Sequence, residues 1–127
     1  MTDVVLDASA ALAALNDEKG ASEVWPLLPG AFMSAVNAAE VATKLVDTGT
    51  AAGTANEFIQ RLGLEIVPFE QVDVAATARL RLTTREAGLS LGDRACLALA
   101  WRFDMPAITA DRQWRNVAVD VEIRLIR

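Results

Sequence analysis

Apolar residues in this chain fall into two kinds of run: short continuous ones, and longer ones in which they recur every three or four positions. Val4, Val5 and Leu6 form the first short run, which suits a central strand buried on both faces, and Asp7 ends it. The helical segment ASAALAALN follows at once, with Ser9 or Asp7 available as its cap. A second short helix from Ala21 is interrupted at Pro26, before the Pro29-Gly30 turn, and Ala31 to Ser34 reads as a weak strand. Helices over 36–48 and 51–62 run into Gly49 and Gly63, the residue type favoured just past a helix end. Leu64 to Val67 gives a third strand. An amphipathic helix from about Gln71 to Ala87 places Val74, Ala78 and Leu82 on its inner side, and Gly88 closes it. The next helix, from Ser90, holds an unbroken apolar stretch from Ala95 to Trp101. Ala107 to Thr109 is a fourth strand, a short helix spans about Asp111 to Asn116, and Val121 to Leu125 is a fifth strand at an edge.

Strands separated by helices predict an α/β fold, a three-layer α/β/α sandwich around a mainly parallel sheet of four to five strands. The 127 residues suit a single domain, 1–127, with no repeats or low-complexity linkers. Ligands of such sheets bind at the carboxyl ends of the strands. Asp7 follows the first strand directly, and Asp111 lies two residues past Thr109. The helix that returns the chain to Ala107 must begin near the same edge, which carries Asp93 there, and Glu40 lies about one turn into the helix leaving the second strand. If the strands are parallel, these acids converge.

Composition narrows the chemistry. The chain has no histidine, which excludes a Ser-His-Asp triad, a paired-histidine ribonuclease mechanism and His-ligated zinc. Its one cysteine, Cys96, sits in the most apolar helix and reads as a small core residue. The net charge of -5 argues against a general nucleic-acid coat. That charge is uneven: residues 1–64 carry three basic and eight acidic side chains, residues 65–127 nine of each. A phosphate-facing surface would therefore draw on Arg79, Arg81, Arg85, Arg94, Arg102, Arg112 and Arg115. The sequence starts without a basic segment leading into an apolar one and has no run of membrane-spanning length, so a soluble, cytoplasmic protein with no membrane association is expected.

Each acid has an ordinary reading. Asp7 and Asp111 could cap the helices that follow them, and Ser90 with Asp93 resembles a capping box. Glu40 lies opposite Ala38, Val41, Ala42 and Leu45, beside Asn37 and with Lys44 at i+4, which describes a solvated face with an ion pair. Independent caps have no reason to gather at one sheet edge. Four carboxylates within a few ångströms could not all stay ionised without a counter-charge, and a divalent cation supplies one. All-oxygen ligation without His or Cys suits Mg2+ or Mn2+, and a hard metal held by acids and left partly hydrated commonly performs phosphoryl chemistry.

With these residues located, the chain resembles the PIN-domain ribonucleases, most closely the VapC-like toxins of bacterial type II toxin-antitoxin systems. The resemblance spans essentially the whole chain and is carried by VVLDASA (Asp7, Ser9), SAVNAAEV (Asn37, Glu40), LSLGDRACLALA (Asp93) and AITADRQW (Thr109, Asp111). The first two motifs are loose; the last two in tandem are specific. The resemblance implies a metal-dependent endoribonuclease that cuts single-stranded or loop RNA by water attack, leaving 5′-phosphate and 3′-hydroxyl ends. In that role Asp7, Asp93 and Asp111 would hold one or two Mg2+ ions, with Glu40 completing the cage or orienting the water. Ser9, Asn37 and Thr109 would support the ligands, or else serve as helix caps and a strand-end hydroxyl. Arg94 and Arg112 would meet RNA phosphates, or else be solvated or paired with acids. The resemblance also implies a cognate antitoxin whose tail covers the groove, and a homodimer. Trp25, Leu27 and Leu28 offer an apolar patch for an amphipathic partner helix, unless Trp25 is core.

Two other classes share parts of this pattern. Aspartyl-phosphate phosphatases also begin with a strand ending in Asp, but need a second Asp two positions on and a well-placed Lys; here that position is Ser9 and the lysines are Lys19 and Lys44. A non-catalytic, receiver-like protein-binding α/β domain would carry paired acids after the first strand, which are absent.

Overall fold

The computed structural model describes residues 3–127. Five strands, β1 (Val5–Leu6), β2 (Phe32–Ser34), β3 (Glu65–Val67), β4 (Ala107–Thr109) and β5 (Ile123–Leu125), form one sheet in the order β3-β2-β1-β4-β5. Every pairing is parallel. The helices are α1 (Ala8–Leu15), α2 (Ala21–Val24), α3 (Ala35–Asp47), α4 (Ala52–Arg61), α5 (Gln71–Thr84) and α6 (Leu91–Phe103), with 3-10 turns at Trp25–Leu27 and Arg112–Asn116. The expected elements are all present, with bounds shifted by at most three residues, and β5 lies at an edge.

Continuous apolar runs make the sheet because alternate side chains feed two cores. Val4, Leu6, Met33 and Ile108 pack with α1, α2 and α3 on one face, whereas Val5, Phe32, Ala107 and Val67 pack with α6 and Trp114 on the other. Full burial of Leu6 or Val5 is worth roughly 1.5–3 kcal/mol each. Cys96 is in the second core, as its surroundings in the sequence suggested. The strand order reverses direction between β1 and β4, so the crevice beyond their carboxyl ends is the topological switch point of the sheet. Among the described residues no helix is long and apolar enough to cross a membrane.

One helix faces the other way from its expected orientation. In α5 the buried residues are Asp73, Thr77 and Thr84, while Val74 is 56% and Leu82 75% exposed and Ala78 is also exposed. The charge on this inward face is met by α6 and by the helix's own start. Arg102 donates to Asp73 at 3.1 Å, Arg94 donates to the Thr77 carbonyl at 3.0 Å, and Asp73 accepts from the Glu70 amide at 2.9 Å. Near the second strand Leu28 is core, Leu27 half-buried and Trp25 about half exposed. The apolar patch expected there is thus reduced largely to Trp25.

Candidate active site

Asp7 occupies the N-cap position of α1 but does not cap it. Its Oδ2 instead accepts hydrogen bonds from the Ser9 hydroxyl at 2.6 Å and the Thr109 hydroxyl at 2.9 Å. Ser9 Oγ accepts in turn from the Ala110 amide at 2.9 Å, and Thr109 Oγ1 from the Asp111 amide at 3.1 Å. Each hydroxyl donates a hydrogen bond to Asp7 and accepts one from a backbone amide past β4, so the ends of β1 and β4 are stitched together through one carboxylate. Asp7 is 2% exposed. Burial pushes its pKa up to about 6 against the pull of the Ser9 and Thr109 hydrogen bonds, and the charges of Asp93 and Glu40 push in the same direction as burial.

Asp93 enters from the start of α6. The expected capping box forms: Ser90 Oγ accepts from the Asp93 amide at 3.2 Å, and Asp93 Oδ2 accepts from the Ser90 amide at 2.8 Å. Burial nevertheless raises the Asp93 pKa, opposed by the bonds to Ser90, and the Asp111 charge adds to the rise. Asp111 caps the last 3-10 turn, its Oδ1 accepting from the Gln113 amide at 2.9 Å. Capping and proximity therefore coexist at Asp93 and Asp111.

Glu40 departs furthest from its ordinary reading. No ion pair to Lys44 forms among the described residues. Its Oε1 accepts at 2.8 Å from Nδ2 of Asn37, which is fully buried and also donates to the Gly92 carbonyl at 2.9 Å. The two acceptors facing Nδ2 fix the orientation of the Asn37 amide, and its Oδ1 is buried with no protein partner. Glu40 is thus drawn to the amino end of α6. Its charge is felt at Asp7, and the charges of Asp7, Asp93 and Glu40 together reinforce the burial that raises the pKa of Cys96.

Among the described residues, no three of the acids already meet at one point at coordination distance. Their donor chemistry still fits a hard divalent cation: they are oxygen ligands, electrostatically coupled and partly withdrawn from water, beside a buried amide oxygen without a partner. A cleft of about 390 Å³ opens beside Ser9, lined by Asn16, Lys44 and Arg127 among others. Arg94 is turned toward α5 by its bond to Thr77, whereas Arg112 is exposed and donates to the Arg127 carbonyl at 3.4 Å. Sequence reading passed over Gly92, whose Cα lies against the Glu40 carboxylate. The available signal was a glycine inside the first turn of a helix, where it weakens the helix unless space is needed.

The profile of the PIN domain family matches residues 4–120. The chain belongs to the PIN domain family. This PIN domain superposes on a toxin-antitoxin complex from Klebsiella pneumoniae with a TM-score of 0.73 at 16% identity, covering 98% of each chain. It is also similar to the DNA-bound VapBC of Salmonella typhimurium (TM-score 0.72, 17% identity, 100% of each chain). A third similar structure is Mycobacterium tuberculosis VapC20, a sarcin-ricin loop cleaving toxin (TM-score 0.72, 17% identity, 94% of this chain and 98% of that one). At these identities the likeness carries the fold. None of the curated protein sequences matches the chain.

Proposed function

We propose that this PIN domain acts over its whole length as one unit, the toxin of a type II toxin-antitoxin pair and a metal-dependent endoribonuclease cutting single-stranded or loop RNA in the cytoplasm. The observation that carries the reading is the set of four acids at the switch point, in which Asp7 is lifted to a pKa of about 6 by burial and by neighbouring charge. Such a set is poorly compensated by protein alone and well compensated by Mg2+ or Mn2+. Asp7, Asp93 and Asp111 would hold the ion, and Glu40 would complete the cage or orient the attacking water. Bound there, the ion supplies Lewis-acid activation of water and of the scissile phosphate.

The chain's own groups do the rest. Ser9 and Thr109 fix the Asp7 carboxylate by donating to one of its oxygens, leaving the other for a ligand. Asn37 fixes Glu40 in the same manner. Lys44 in the cleft beside Ser9, with exposed Arg112 near it, offers charge to RNA phosphates, whereas Arg127 in the same cleft is paired with Glu18 at 3.0 Å. Arg94 is committed to Thr77, which favours a structural role for it.

Because water is the nucleophile, the RNA 2′-hydroxyl need not react. Incubation with a structured RNA and Mn2+ is expected to give fragments with 5′-phosphate and 3′-hydroxyl ends. Chelator abolishes cutting, and Asp93→Asn lowers it by about a hundredfold or more. Cyclic phosphate ends, or full activity in Asp93→Asn, would sink this reading. A cognate antitoxin completes it, supported by the likeness to solved toxin-antitoxin complexes, and a homodimer is proposed with it. The aspartyl-phosphate alternative is disfavoured because Ser9 stands where its second acid would, its hydroxyl donating a hydrogen bond to Asp7.

A further inference from the structure

On the metal-nuclease reading, we infer that Gly92 and Asn37 form a latch that sets where the Glu40 carboxylate stands among the acids, making Gly92 a positioning residue of the site. Gly92 is buried in the first turn of α6 and has an ordinary right-handed backbone, so its dihedral angles do not call for glycine. Glycine is the poorest helix former after proline, and alanine would serve this turn better. The space beside Gly92 explains its presence. A Cβ built there would overlap both oxygens and the carboxyl carbon of Glu40. The bare Cα lets the carboxylate of one helix lie against the first turn of another.

Asn37 closes the latch. One Nδ2 donates both to Glu40 Oε1 and to the carbonyl of Gly92 itself, tying α3 to α6 across 55 residues of sequence. The first turn of α6 also carries the positive end of the helix dipole, which favours a carboxylate there. The group that would meet a Cβ is the far end of a flexible side chain, not backbone. Alanine at 92 therefore displaces Glu40 and leaves the fold intact.

The test is a cycle of Gly92→Ala and Glu40→Ala, read by Mn2+ binding in calorimetry, by RNA cleavage and by thermal melting. Gly92→Ala is expected to melt within a few degrees of the wild type and to weaken Mn2+ binding about tenfold, the scale of an outer-shell ligand contact. Cleavage should fall at least as far. In the Glu40→Ala background, where nothing remains to collide with, the same substitution should leave Mn2+ affinity unchanged. Wild-type Mn2+ affinity in Gly92→Ala would overturn the latch, and so would an equal loss in both backgrounds. Should Gly92→Ala fold poorly, Asn37→Ala removes the donor without any collision and must show the same dependence on Glu40. A wild-type protein that binds no Mn2+ would refute the metal reading alone. The latch is then judged in the metal-free protein by hydrogen exchange of the Asn37 side-chain amide, whose protection Gly92→Ala should reduce about tenfold or more; retained protection refutes it.

Discussion

Asp7 shows how a residue at a helix start can serve the sheet edge instead of the helix. Both hydroxyls that could have left it free for capping donate to it, and its pKa rises from 3.8 to about 6 because burial outweighs them. A carboxyl group whose pKa is higher folded than unfolded holds more protons in the native state between those two values. Stability of the metal-free protein should therefore fall as pH rises from about 4 to 6, the reverse of an ordinary salt-bridged acid. The full difference is roughly 3 kcal/mol for Asp7 at neutral pH, and Asp93, also raised, contributes in the same direction. With chelator present, urea unfolding should give a more stable protein at pH 5 than at pH 7.5. Asp7→Asn, which keeps the acceptor oxygen, should remove most of that difference. Stability that climbs over this range in the wild type would show that Asp7 ionises without cost. In the sequence, Asp7 could be located but not assigned, since capping and burial place the same residue at the same junction. Glu40 was harder still. Its position depends on Asn37 reaching the Gly92 carbonyl, and no local period reports such a contact.

Between elements, legibility followed from whether a contact was local. Strands β1 and β4 were readable because each apolar run carries its own evidence of burial on both faces. Helix α5 was misread because Val74, Ala78 and Leu82 recur at i, i+4 and i+8, the spacing of an inner stripe. What reverses the helix is Arg102, which lies 29 residues beyond Asp73 in sequence and neutralises it inside the α5-α6 seam. The Asp73 side chain is only 5% exposed and Arg102 18%, so this pair is far more sensitive than an exposed one. Arg102→Ala strands the carboxylate and should cost roughly 3–5 kcal/mol in denaturant unfolding. Replacing both members, as in Asp73→Leu with Arg102→Met, should recover most of that loss. A double variant as unstable as the sum of the single ones would show that the two residues act independently.

At the scale of the whole molecule, the reversal of α5 leaves an apolar stripe in water. Val74 and Leu82 flank Ala78 at one helical turn on each side, and all three are exposed. If the proposed homodimer forms, a second copy of the chain could cover this stripe, which is self-complementary. Two α5 helices packed antiparallel about a two-fold axis at Ala78 bring small residue against small residue, with each Val74 meeting the opposite Leu82. The close approach permitted by alanine would let the larger side chains interlock at either end. Removing the Leu82 and Val74 side chains from water is worth on the order of 2 kcal/mol each per subunit. An interface centred there would also cover exposed Val72. Leu82→Glu places a charge in the seam on both subunits at once, opposite an apolar residue that cannot pair with it. In sedimentation velocity the wild type should run as a dimer and Leu82→Glu as a monomer. Because Leu82 is 75% exposed within one chain, the monomer's own core is untouched, and unfolding of the variant at high dilution should match that of the dissociated wild type. A Leu82→Glu protein that remains dimeric would move the interface away from α5.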